Sequence, residues 1–229
     1  MQMLICKPVC TTSTGIRRRA PVIRQRARKF GPITQETTIS VRRDLLISGA
    51  NSAGKSRWLS KLHEHSAAMW IGREAVMLRA LEPLQRWTDD PRLEKFAAVR
   101  GLSWAKLAQH KRTDLLCQWI AEEKAVLFLD DVHKLTGRKL DLVCRMARDA
   151  GLVVAATWAE QSTPMSLRML LDRRDPQRVQ LKSEAAYDIT SMALWLMILV
   201  ALGAGAWQLA AALGGMKVLG GGRRAARQS

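Results

Sequence analysis

The stretch from Asp44 to Leu59, DLLISGANSAGKSRWL, constrains the fold more than any other part of this 229-residue chain. A short apolar run enters Gly49. Gly54, Lys55 and Ser56 follow at a fixed spacing, and a helical pattern then opens with Trp58, Leu59 and Leu62. A strand that leads through a glycine-rich turn into a helix is the opening unit of a parallel α/β sheet. The glycines let backbone N–H groups turn inward around a phosphate chain. Lys55 brings a mobile positive charge to the outer phosphates, and Ser56 offers a hydroxyl to Mg²⁺. The following helix points its positive dipole end at the same anion. Gly49, Ala50, Asn51, Ser52, Ala53, Gly54, Lys55 and Ser56 are therefore the candidate residues for the phosphates of a nucleotide, ATP with Mg²⁺.

The chain beyond this turn alternates between two periods. EAVMLRA over 74–80 predicts a second strand. KAVLFLDD over 124–131 is an unbroken apolar run, the signature of a parallel strand covered on both faces. LVVAATW over 152–158 and QRVQLK over 177–182 predict two more. Between them, Leu115, Leu116, Trp119 and Ile120 share one helical face, as do Leu140, Val143 and Ala147, and Gly151 predicts a helix stop. Strands alternating with helices make a parallel sheet covered on both sides.

A phosphate site of this kind needs a metal-holding carboxylate from a neighbouring strand. The run at 124–131 ends in Asp130 and Asp131, and Asp130 is expected to hold Mg²⁺ through water. Lys55 and Asp130 lie 75 residues apart, with a candidate extra strand between them. On these motifs the chain, from about 40 to 182, resembles the additional-strand P-loop ATPases. The AAA+ proteins are their best-known group, and LDDVHKL is similar to the matching stretch of transposition-type, secretion-type and STAND members.

The resemblance implies a parallel-sheet P-loop NTPase (AAA+-like) core that hydrolyses ATP with Mg²⁺. It puts Asp131 where a water-orienting acid belongs and Thr157 where a polar residue senses the γ-phosphate. Arg173 or Arg174 takes the place of a basic residue reaching the nucleotide of a neighbouring copy in a homo-oligomer. Two departures stand out. Asp131 is one methylene shorter than the usual Glu, and an apolar segment follows the core where a helical lid is expected.

The two ends carry the charge. The net charge is +17, which favours anionic partners such as DNA, phospholipid or nucleotide. Met1 to Thr34 holds eight Lys or Arg and no acid, mixed with Pro and Gly, so 1–37 is expected to be a flexible basic arm. Cys6, Cys10, Cys117 and Cys144 have no metal-ligand spacing and read as reduced thiols. His133, just after the acids, reads as a strand-end side chain on polar surface.

From Ile189 to Met216 there is no charge. As a helix this run is about 42 Å long against about 30 Å of hydrocarbon, so a transmembrane helix over 189–216 is expected, with a short basic tail over 217–229. Ala206, Ala210 and Gly214 recur every four residues, a small-residue face that suits close helix packing. A hairpin turning at Gly203–Gly205 is the alternative topology. The sequence therefore reads as a basic arm, a P-loop ATPase domain over 38–186 and a single-pass anchor in the inner (cytoplasmic) membrane. On this reading the ATPase assembles or transports a DNA or protein cargo, as in secretion, conjugation or phage assembly. The alternatives are a DNA-associated regulatory ATPase, or a nucleotide-dependent oligomerisation switch with little turnover.

Overall fold

The computed structural model describes residues 2–10, 17–26, 33–51, 53–181, and 196, 197, 199, 200, 203 and 205. Three strands come first: β1 (Gln2–Cys10), β2 (Arg17–Arg26) and β3 (Ile33–Thr38). They form an antiparallel sheet in that order, with Ile5 opposite Val22 and Ile23 opposite Thr37. This corrects the expectation of an irregular arm. The arginines mask a strand-forming background, because QMLICKPVC and APVI supply β-branched and aliphatic residues between the charges. Val22 and Ile23 are buried, and Ile23 joins the same apolar cluster as the next sheet, so the segment is tied down by its own apolar residues.

The strands β4 (Leu45–Gly49), β5 (Ala75–Arg79), β6 (Val126–Asp130), β7 (Leu152–Thr157) and β8 (Gln177–Leu181) form a second sheet in the order β5-β6-β7-β4-β8. Every pairing in it is parallel. The unbroken apolar runs follow from two-sided burial. Alternate residues point to opposite faces. Val126 and Phe128 join one cluster with Leu45, Ile47, Val154 and Ala156, while Leu127 and Leu129 join the other with Leu46, Val153 and Ala155. Helix α1 (Lys55–Glu64) covers the first face through Trp58, Leu59 and Leu62, beside the single turn α2 (Ser66–Met69). The second face is covered by α5 (Gln109–Glu122) and α6 (Gly137–Asp149) and by α7 (Met165–Arg173). Phe128 is fully buried on the first face, and its truncation to Ala is expected to cost about 3–5 kcal/mol.

Two details differ from expectation. The strand at 75–79, expected to be the extra strand, lies at the sheet edge, and the strand inserted between the glycine-rich turn and the acidic strand is β7. Between β5 and α5 the chain also makes two short helices, α3 (Leu84–Trp87) and α4 (Pro91–Val99), that periodicity did not reveal. Asp90 caps α4, accepting from the N–H of Arg92 at 2.9 Å. Gly151 stops nothing by a left-handed turn. A Cβ there meets the Lys124 carbonyl at 2.2 Å, so its role is close approach of two backbones.

The chain forms two compact units, Met1–Glu184 and Ala185–Ser229. In the second, the described residues Leu196, Met197, Leu199 and Val200 are helical and exposed. Among the described residues no helix is long and apolar enough to cross a membrane. Most of the expected span, including Ala206, Ala210 and Gly214, lies outside them, as does the basic tail.

Candidate functional site

The glycine-rich turn sits at the carboxyl ends of the strands, where β4 hands over to α1. Gly49 is required by a close approach: a Cβ there meets the Leu181 carbonyl oxygen at 2.7 Å. Gly54 is required by conformation, since it holds the left-handed region at φ 83° just before α1. No side chain caps this helix start, so its first N–H groups face outward for an anion. Asn51 and Ala50 are exposed at the crest, Ala53 packs partly against the core, and Ser52 lies outside the described residues.

Lys55 is buried and folds back over the turn. Its Nζ donates to the carbonyls of Gly49 at 2.8 Å and Ala50 at 2.9 Å. Burial lowers its pKa, and the carboxylates of Asp131 and Asp130 pull it back up. Ser56 Oγ donates to Asp130 Oδ1 at 3.1 Å, joining residues 74 apart in sequence. This contact brings the two expected metal ligands to one point. A hydroxyl and a carboxylate there form a hard oxygen pair suited to Mg²⁺, which keeps several waters and takes few protein ligands. The pKa of Asp130 is raised, first by burial and then by the neighbouring Asp131 carboxylate, against the hydrogen bond from Ser56.

Asp131 follows in the left-handed region at φ 54°, at the start of a 3₁₀ turn over Val132–Lys134. Its Oδ2 accepts from Lys134 Nζ at 2.8 Å. Lys134 was not visible as a site residue in the sequence; the signal that finds it is an opposite charge three residues on. His133 is half-buried beside the same groups. Its Nδ1 is buried with no partner among the described residues, and burial lowers its pKa. It therefore lies nearer the acids than a residue on plain polar surface.

Thr157 ends β7 next to the turn, paired in register with Ser48. It is fully buried, and its hydroxyl is spent locally: it donates to the Ala159 carbonyl at 3.0 Å and accepts from Thr163 Oγ1 at 3.2 Å. The two arginines separate cleanly. Arg173 is exposed at the end of α7. Arg174 points into the base of the fold, where it pairs through Nε with Asp44 and donates to the carbonyls of Ala147, Ala150 and Gly151. With its guanidinium held by these partners, Arg174 is a structural bracket and not a side chain free to reach another copy. Among the described residues no group of three or more His, Cys, Asp or Glu is placed to hold a metal.

No known protein family and no curated protein matches the sequence. Some solved structures resemble this chain in part. A chain from the Drosophila ORC structure bound to GC-rich DNA and Cdc6 matches with a TM-score of 0.43 at 12% identity, covering 64% of this chain and 52% of that one. AMPPCP-bound DnaA from Aquifex aeolicus matches at 0.38 and 14%, covering 62% and 41%. Cdc6p from Pyrobaculum aerophilum matches at 0.39 and 15%, covering 60% and 38%. This chain thus spans about half or less of each of the three. With TM-scores below 0.5 these likenesses are partial and assign nothing to this chain. The strand order and turn of this chain are themselves those of a P-loop NTPase-like α/β core, and the site rests on its own residues.

Proposed function

We propose that this chain is a Mg²⁺-dependent P-loop ATPase. Gly49 to Ser56 cradle the phosphates, Lys55 turns from the loop carbonyls to the outer phosphates, and Ser56 with Asp130 holds Mg²⁺. Mg²⁺ neutralises the developing charge on the phosphates when bound. Asp131, positioned by Lys134, orients the attacking water. Arg173, exposed at the end of α7, is the candidate basic residue acting in a neighbouring copy, and Thr157 fixes the β7 end beside the turn. The observation that carries this reading is the 3.1 Å contact between Ser56 and Asp130, which joins the loop to the acidic strand across β7. Calorimetric titration of the full chain with ATP and Mg²⁺ tests it: wild type binds, and Lys55→Ala abolishes binding or weakens it severely. Equal binding by both proteins rejects the phosphate-loop assignment.

We further propose that the ATPase works on DNA. The net charge of +17 supports a polyanionic partner, and each phosphate neutralised steepens the salt dependence by about 0.9 log units per log unit of salt. The test is phosphate release with and without duplex DNA across a salt series. The inner-membrane location is carried by the charge-free run from Ile189 to Met216. Carbonate extraction checks it: the full chain stays with the membrane, and release overturns the anchor.

A further inference from the structure

A cavity of about 800 Å³ opens directly beside the first residues of the glycine-rich turn. Its walls come from Gly49 and Ala50, from the loop after β7 through Trp158 and Gln161, and from β8 through Arg178 and Gln180. Trp158 lines the cavity and is 49% exposed, whereas Trp58, Trp70, Trp87 and Trp119 are buried. Its backbone is not free to drift. The Trp158 carbonyl accepts from the Gly49 N–H at 3.2 Å. On either side, Thr157 and Ala159 are locked by hydroxyl hydrogen bonds within the same loop. The Mg²⁺ end of the site lies toward β6, at Ser56 and Asp130, whereas this cavity lies toward β8, on the other side of β4. A nucleotide whose phosphates sit in the turn and whose metal is held on the β6 side leaves its base to be placed on the β8 side. There Trp158, Gln161 and Gln180 line the cavity.

We propose that this cavity is the subsite for the nucleoside and that Trp158 stacks on the nucleobase. The proposal rests on the reading of 49–56 as a phosphate loop. Stacking of a base on an aromatic side chain is worth enough that its removal weakens binding by roughly tenfold or more, and any aromatic ring supplies most of it. The amides set the orientation of the base edge; the ring supplies the affinity.

The experiment compares two ligands on the full chain by calorimetry: ATP with Mg²⁺, and inorganic tripolyphosphate with Mg²⁺, which has the same phosphates and no base. Trp158→Ala is expected to weaken ATP roughly tenfold and leave tripolyphosphate unchanged, while Trp158→Phe keeps most of the ATP affinity. If Trp158→Ala does not fold, Trp158→Leu, which keeps an apolar side chain without an aromatic face, is compared with Trp158→Phe and shows the same split. Equal loss on both ligands, or no loss on ATP in a folded variant, overturns the proposal. Lys55→Ala separates the two layers. It weakens both ligands if the loop binds phosphates; if it weakens neither, the loop reading fails and the subsite falls with it.

Discussion

Asp44 and Asp130 are buried to nearly the same degree, at 4% and 6% exposure, yet they are treated differently. Asp44 sits at the amino ends of the strands, just before β4. It accepts from Arg174 through Nε and Nη2 and from the Val153 N–H at 2.9 Å. Asp130 sits at the carboxyl ends, closing β6. Its side-chain donor among the described residues is the Ser56 hydroxyl, and burial pushes its pKa up. A buried carboxylate is costly unless its lone pairs are satisfied. The first is saturated and charge-paired, so it joins α6, β7 and β4 into one base. The second makes no ion pair among the described residues, and burial outweighs the Ser56 and Asp131 donors that favour its charged form, which leaves it open to a cation. Equal burial with unequal satisfaction separates a bracket from a ligand.

The largest expected effect breaks the bracket. Arg174→Ala leaves Asp44 buried without its counter-ion, and removing one partner of such a pair costs about 3–5 kcal/mol. Urea unfolding of the full chain reads it as a lower midpoint. Arg173→Ala, one residue away on the exposed end of α7, is expected to change stability by about 0.5 kcal/mol or less. If the two variants unfold together, Asp44 is not a bracket and the contrast with Asp130 fails. Arg173→Ala has its own readout: if the residue acts in a neighbouring copy, turnover that rises with protein concentration in wild type is lost.

The second effect sharpens the contrast from the other side. Asp130→Asn removes a charge whose ionised form is disfavoured by burial, so stability is expected to hold or rise slightly, unlike the Arg174 change. Mg²⁺-dependent ATP binding is expected to fall roughly tenfold or more, since the metal loses a charged hard ligand. A large loss of stability with metal dependence intact makes Asp130 a second bracket.

A smaller effect concerns Lys134. It is the cation that touches Asp131, so Lys134→Ala is expected to lower kcat by a few fold while ATP binding holds, because the water-orienting carboxylate loses its position. Asp131→Asn is expected to lower kcat further at similar ATP affinity. Steady-state phosphate release checks both. A wild-type rate no higher than that of Asp131→Asn leaves a nucleotide switch with little turnover.

Local chemistry was legible in the sequence, and long-range chemistry was not. The turn from Gly49 to Ser56, the apolar runs of β4 to β8 and the acid pair at 130–131 each lie in one contiguous stretch, whose period and spacing carry the signal. The Leu115, Leu116, Trp119 and Ile120 face was readable for the same reason, and all four are buried. Arg174 was misread because its partner Asp44 lies 130 residues upstream, and sequence adjacency made it look equivalent to Arg173. Trp158 was unreadable because its cavity is assembled from three separate segments. β1 and β2 were missed because the arginines outweighed the aliphatic residues between them. The place of β7 between β4 and β6 is a crossover, a fact of sheet order that no linear spacing records.

The smallest effect is in pH, and here too the two kinds of burial give opposite signs. His63 packs edge-on against Phe128 with ring centroids 5.3 Å apart, and burial lowers its pKa, as it does for His133 near the acids. A histidine whose folded pKa lies below its unfolded value binds fewer protons folded than unfolded across the interval between the two. Stability therefore rises with pH in that interval and is lost as pH falls below about 6.5. Asp130 runs the other way: with its folded pKa raised, the folded state holds a proton that the unfolded state releases, so this acid favours the fold as pH drops through its interval. The histidine interval extends downward from the ordinary histidine value of about 6.5 and the Asp130 interval upward from the ordinary carboxylate value of about 3.9, so acidification from neutral pH is expected to begin with a modest loss of stability. His63→Gln with His133→Gln flattens that loss, and Asp130→Asn leaves it in place. Mg²⁺-dependent ATP binding responds to Asp130 directly, weakening at a pH above the ordinary carboxylate range because a proton competes with the metal for a carboxylate that burial has made more basic. Unfolding midpoints and ATP affinity measured across the same pH series separate the two. A binding profile that follows the stability profile in every variant makes Asp130 a bystander to metal binding, whereas a binding loss that survives the histidine changes assigns the proton to Asp130.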